Sequence, residues 1–148
     1  MGSKIKSDTS FLYPVCRDLF HLEADLKFLR DATRGGVAAI LNEICSDTNF
    51  GMDIYESHIP ILPDVQVVSD ILGLNPIEIA NEGVLVVIVA ENSVSQAIKS
   101  IKQHSAGKEA ALIGKITGTY PGKVILETKI GGKRILDYPR GLLLPRIC

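Results

Sequence analysis

Val84-Leu85-Val86-Val87-Ile88-Val89-Ala90 is the longest apolar run in the chain, rich in β-branched residues, and it decides the fold class. Seven residues of this kind between polar flanks specify a strand, and a central one buried on both faces. Downstream, Ser93-Val94-Ser95-Gln96 has the spacing of a capping box. It opens a helix with Val94, Ala97, Ile98 and Ile101 inward and Lys99 and Lys102 outward, closed by His104 and Gly107. Upstream, Asn81-Glu82-Gly83 interrupts a short helix that Asn75 caps and Pro76 begins. A helix–strand–helix unit of this kind belongs to an α/β protein.

Further upstream, residues 25–29 form a short strand that runs directly into Arg30-Asp31-Ala32-Thr33-Arg34-Gly35-Gly36. An amphipathic helix follows, with Val37, Ile40, Leu41 and Ile44 on one face and Asn42 and Glu43 opposite. Thr33 is the expected N-cap, which places Arg34, Gly35 and Gly36 in the first turn. Two glycines there weaken the helix by about 1 kcal/mol each relative to alanine. One compensation is backbone access, since bare first-turn N–H groups can approach an anion closely, with Arg30 and Arg34 adding charge. The other is a tight turn with a glycine packed against the sheet. On the first alternative, Gly36→Ala leaves melting unchanged or raises it.

The remaining chain fills out the same architecture. Residues 1–10 read as a starting segment and linker. Residues 11–22 carry Leu12, Val15, Leu19 and Leu22 at helical spacing with Pro14 in the first turn, so Cys16 is a half-buried helix thiol. Residues 50–57 form a strand packing through Met52, Ile54 and Tyr55, with a structural or solvated His58 at its end. Residues 64–72 form a helix with Val65, Val68 and Leu72 on one face, closed by Gly73. Residues 110–118, 123–130 and 133–136 are three strands of an antiparallel meander, turning at Pro121-Gly122 and Gly131-Gly132. The fold class is α/β, a mixed β-sheet with helices packed on one face, over residues 11–141.

Composition narrows the function. A net charge of −1 argues against nucleic acid or anionic lipid as the main partner. The run 84–90 is far too short to span a bilayer. Three cysteines give no pairing framework, and with no secretory pattern at the start they indicate free thiols in a reducing cytoplasm. Walker A, G-x-G-x-x-G, C-x-x-C, H-E-x-x-H and G-x-S-x-G sequences are absent. His21, His58 and His104 lack ligand spacing, so no metal is expected.

The chain ends Leu144-Pro145-Arg146-Ile147-Cys148. About one chain in fifty of this composition ends on cysteine by chance. A thiol on the final residue can nonetheless be presented to a second protein or inserted into a pocket, which a packed thiol cannot. Pro145 discourages a helix running to the end. Residues 142–148 are therefore expected to be a flexible tail.

Residues 30–36, Asn81-Glu82-Gly83 and Pro145-Arg146-Ile147-Cys148, in that order, resemble the C-terminal domain of the HypE family of hydrogenase-maturation proteins. That family lies in the superfamily of aminoimidazole ribonucleotide synthetases and selenophosphate synthetases. Ala32 departs from the family motif, which usually has proline there. The resemblance implies a carbamoyl dehydratase that carries a carboxamide on Cys148, loaded by the carbamoyltransferase HypF, and uses ATP with Mg to dehydrate it to a thiocyanate. The cyano group then passes to iron in a HypC–HypD assembly. It further implies Glu82 as the general base, and Arg30, Asp31, Thr33, Arg34, Gly35, Gly36 and Asn81 as contacts to nucleotide phosphate or to the tail. An N-terminal half, expected to hold most of the ATP site and the homodimer interface, is outside the resemblance, so this domain alone is expected to be inactive. A sister synthetase would share the glycine-rich turn but has no chemical reason to end on cysteine. A non-catalytic ligand-binding or docking module would be indifferent to changes at Glu82 or Cys148.

Overall fold

The structure, a computed structural model, describes residue 7 and residues 9–139. The apolar run becomes strand β3 (Leu85–Val89), paired antiparallel with β1 (Leu26–Asp31) from Leu26↔Val89 to Asp31↔Leu85. A register irregularity between Leu26 and Phe28 puts Leu26 and Leu29 on the same side. Leu85, Val87 and Val89 join them against a small core of Val15, Leu19 and Ala97. Val86, Ile88 and Phe28 point the other way, into the main core. The expected central strand is thus covered on both faces but is not central. Among the described residues its one ladder partner is β1, and the open edges leave most of β3 only half-buried.

Helix α1 (Tyr13–Leu19) has Pro14 in its first turn and buries Val15 and Leu19. Cys16 is half-buried, as its helical position requires. The helix stops earlier than residue 22, because the chain tightens into a 3-10 segment, Phe20–Asp25, where Glu23 takes φ 47°. The last helix, α4 (Val94–Ile101), has the expected faces, but the capping box does not form. The Ser93 hydroxyl donates instead to Asp25 Oδ2, tying the helix entrance to the start of β1. Ser93 is 5% exposed, and a buried hydroxyl takes the strongest acceptor available.

Across the α1–α4 contact, His104 Nε2 lies 2.8 Å from Asp18 Oδ2, and Arg17 Nε donates to Asp18 Oδ1 at 3.1 Å. The Arg17 hydrogen bond first, and the His104 bond second, hold the Asp18 carboxyl below its ordinary pKa of 3.8. A depressed folded-state pKa stabilises above the unfolded value and is lost as pH falls through the folded one. Asp18→Asn should therefore lower the melting temperature at pH above 3.8, with the gap closing as the pH is taken lower. A gap that persists unchanged in acid would assign the effect to packing.

The second sheet has the order β4-β2-β5-β6. Strand β2 (Gly51–Tyr55) runs antiparallel to β4 (Gly114–Thr117) and parallel to β5 (Val124–Glu127), while β6 (Lys133–Ile135) is antiparallel to β5. The expected meander is corrected here. Pro121-Gly122 does not close a β4–β5 hairpin, because β2 lies between those strands. Gly122 N donates to Phe50 O at 2.9 Å and Met52 N to Lys123 O at 3.0 Å. Apolar residues of β2 and β5 claim that slot: Met52, Ile54, Val124 and Leu126 are each at most 3% exposed. Gly131-Gly132 does turn a hairpin, with Thr128 N donating to Gly132 O at 2.7 Å.

Helix α2 (Gly36–Ser46) covers the inner face of this sheet, its Ala38, Ile40, Leu41 and Cys45 meeting Met52, Val124, Leu126 and Leu136 in one core. A mixed sheet with helices is the expected α/β class. Helix α3 (Pro63–Leu72) forms and ends at Gly73 in the left-handed conformation, yet its expected inward face stays open. Val68 is 39% and Leu72 61% exposed, Val65 is only half-buried, and the residue it buries is Ser69.

Candidate functional site

β1 ends where the glycine-rich turn begins, and the ladder continues past its end. Ala32 N donates to Val84 O at 2.8 Å, and Asn81 N donates to Ala32 O at 2.9 Å. These two bonds clamp the turn at residues 30–36 to the loop at residues 81–83, two motifs separated by some fifty positions in sequence. Ala32 is fully buried at the clamp, so the small side chain is held by the backbone bonds on either side of it. Asn81 Oδ1 accepts from Gly83 N at 2.9 Å, an Asx turn that fixes the loop in which Glu82 is presented to solvent.

The turn itself differs from expectation. The N-cap of α2 is Gly35, with φ 78°, and not Thr33, whose carbonyl accepts from Gly36 N at 3.0 Å. Gly36 follows with φ 61°. A β-carbon on Gly36 would lie 2.5 Å from Ile79 O and 2.6 Å from Ile77 O. The close approach glycine permits is therefore, at Gly36, an approach by the chain's own 3-10 segment, Pro76–Glu78, which Asn75 caps. That favours the packed-glycine alternative, on which Gly36→Ala loses stability, over the expectation of unchanged or raised melting. Gly35 is buried as well, and a β-carbon there would fall 2.6 Å from Ala39 Cβ in its own helix and at ordinary contact distance, 3.8 Å, from Pro139 Cγ.

The two arginines part company. Arg30 Nη1 pairs with Glu43 Oε2, so this cation is engaged across α2. Tyr138 donates to the other Glu43 oxygen at 3.4 Å, linking β1, α2 and the segment after β6. Asp31 and Arg34 are exposed at the turn, and Thr33 is half-buried. Glu43, Tyr138 and Pro139 were not legible as site neighbours; nothing in their local sequence distinguishes them from surface residues. Cys148 and residues 142–148 lie outside the described residues. A cleft of about 410 Å³ between residues 10–15 and 104–106, lined by Phe11, Pro14, Val15 and His104, contains none of the candidate residues. Among the described residues no group of three or more His, Cys, Asp or Glu could hold a metal ion, and no helix is long and apolar enough to cross a membrane.

A clamped glycine turn on a β1–β3 ribbon, leading into a helix over a mixed sheet, defines a known class of domain. The chain belongs to the family described as AIR synthase related protein, C-terminal domain, whose model matches residues 5–127. The carbamoyl dehydratase HypE of Rhizobium leguminosarum bv. viciae is 41% identical over 97% of this chain and 41% of its own length. The crystal structure of hydrogenase maturation protein HypE in complex with ATP superimposes with a TM-score of 0.91 at 33% identity, covering 99% of this chain and 45% of that one. The crystal structure of the HypE–HypF complex gives 0.88 at 34%, covering 94% and 45%. The chain spans about two fifths of the length of the curated relatives it matches.

Proposed function

We propose that this chain acts as the C-terminal domain of a HypE-type carbamoyl dehydratase, with Cys148 as carrier. The observation that carries the proposal is the clamp at Ala32, which brings the turn at residues 30–36 and the Glu82 loop into one site. The ATP complex and the HypF complex among related structures support ATP as co-substrate and the carbamoyltransferase HypF as loading partner.

In the proposed sequence, HypF transfers a carboxamide to the Cys148 thiolate. The amide oxygen attacks the γ-phosphorus of ATP and ADP leaves, converting a poor leaving group into phosphate. One N–H proton leaves to solvent as the O-phosphorylated imidate forms, and Glu82 takes the second from nitrogen as the C–O bond breaks, releasing phosphate and leaving a thiocyanate on sulfur. The cyano group then passes to iron in a HypC–HypD assembly. Asp31, Thr33, Arg34, Gly35 and Asn81 are proposed to contact the nucleotide phosphates or the tail, while Gly36 seats the turn on the segment Pro76–Glu78 and Arg30 holds it through Glu43. Magnesium would accompany ATP, and no cluster of ligands for it exists among the described residues. It and most of the nucleotide are assigned to an N-terminal half, which also supplies a homodimer interface. The compartment is the cytoplasm, consistent with a thiol carrier that must stay reduced.

Intact mass after incubation with HypF, carbamoyl phosphate and ATP tests the reading. The chain should gain one carboxamide at Cys148, and Cys148→Ala should gain none while melting at the same temperature. No gain, or a gain at Cys16 or Cys45, would overturn it.

A further inference from the structure

We propose that Leu136, Tyr138 and Pro139 form a fixed root for the carrier segment, and that Pro139 is a positioning residue for delivery of the loaded thiol. The inference rests on Cys148 being the carrier. The strand β6 ends at Ile135, and the chain then makes three successive attachments. Leu136 is 1% exposed, and its N–H donates to Val124 O at 2.8 Å. Tyr138 donates to Glu43, which holds Arg30 at the end of β1. Pro139 is buried and lies over Gly35, the residue that opens α2.

The consequence is geometric. Residues 140–148 start beside the glycine turn, which is itself bonded to the Glu82 loop. Nine residues span at most about 30 Å when extended. Cys148 is thus tethered at a point adjoining the site it must enter, and the short tether keeps its local concentration there high. A β-carbon on Gly35 would meet Pro139 Cγ at ordinary contact distance, 3.8 Å, so Pro139 packs directly on the turn. Loading by a second protein is an intermolecular encounter and does not depend on where the root lies.

Loading and delivery can therefore be separated. In the chain joined to an N-terminal half, Pro139→Gly should leave loading by HypF within about twofold of wild type. Single-turnover formation of thiocyanate on Cys148 should fall by about fivefold or more. Pro139→Ala, which keeps a β-carbon on the turn, should recover part of the loss. A Cys148→Ala protein given a synthetic peptide of residues 140–148 bearing the carboxamide should dehydrate it equally fast with and without Pro139→Gly. Inserting a twelve-residue Gly/Ser linker after Pro139, with the packing intact, should slow delivery about threefold. An unchanged rate on the tethered thiol, an equal loss on the free peptide, or an equal loss of loading would each overturn the proposal. If wild type gains no carboxamide or forms no thiocyanate, the carrier reading itself fails.

Discussion

Gly36→Ala should destabilise the domain by about 3 kcal/mol or more. Two penalties add at one atom. Gly36 has φ 61°, where a β-carbon strains against its own backbone, and that carbon would fall 2.5 Å from Ile79 O and 2.6 Å from Ile77 O. Neither neighbour can withdraw cheaply. Ile77 is 6% exposed in the main core, and the segment is tied forward through the Asn81–Ala32 bond. Gly73 supplies the control: its φ is 66°, yet a β-carbon there meets nothing within 4 Å. Gly73→Ala should cost about 1 kcal/mol, the backbone penalty alone. Urea denaturation of both variants measures the difference, and equal losses would show that the crowding at Gly36 relaxes.

Glu82→Gln should arrest the proposed reaction at the carboxamide. The substitution keeps size and hydrogen-bonding reach while removing the proton acceptor, so Cys148 should still be loaded by HypF. Loss of general-base catalysis alone predicts a fall in thiocyanate formation of about 10²–10⁴-fold. Mass spectrometry resolves the two adducts. Accumulation of thiocyanate at the wild-type rate would assign the proton to another group.

The parts of this fold that were legible in the sequence are those whose information is local. Apolar spacing located α2, α4 and β2, and Asn75-Pro76 marked a turn start that the Asn75 side chain does cap, accepting from Ile77 N. What failed depended on partners distant in sequence. The insertion of β2 between β4 and β5 is set by which strand buries Met52 and Ile54 best, a comparison no window of the chain contains. Ser93 abandoned its helix because Asp25, sixty-eight residues away, is a better acceptor. At the site, the motifs were visible but their joining was not, since the clamp uses backbone groups of Ala32, Asn81 and Val84 that any residue could supply. Glycine's role was half legible: the cost of two glycines signalled a close approach, but the approaching group at Gly36 is the chain itself.

The place of β2 has a consequence for how the chain comes into being. Its ladder partners begin at residues 114 and 124, so for the time it takes to synthesise nearly sixty further residues, β2 has no strand to pair with. At ribosomal speeds of roughly 5–20 residues per second, that interval lasts several seconds. The β1–β3 ribbon with α1 and α4 is complete by residue 101, well before the other sheet can close. The nascent domain thus matures in two stages. Its main core waits on the arrival of β5, and the stretch from Gly51 to Tyr55 is the segment a chaperone has most cause to shield.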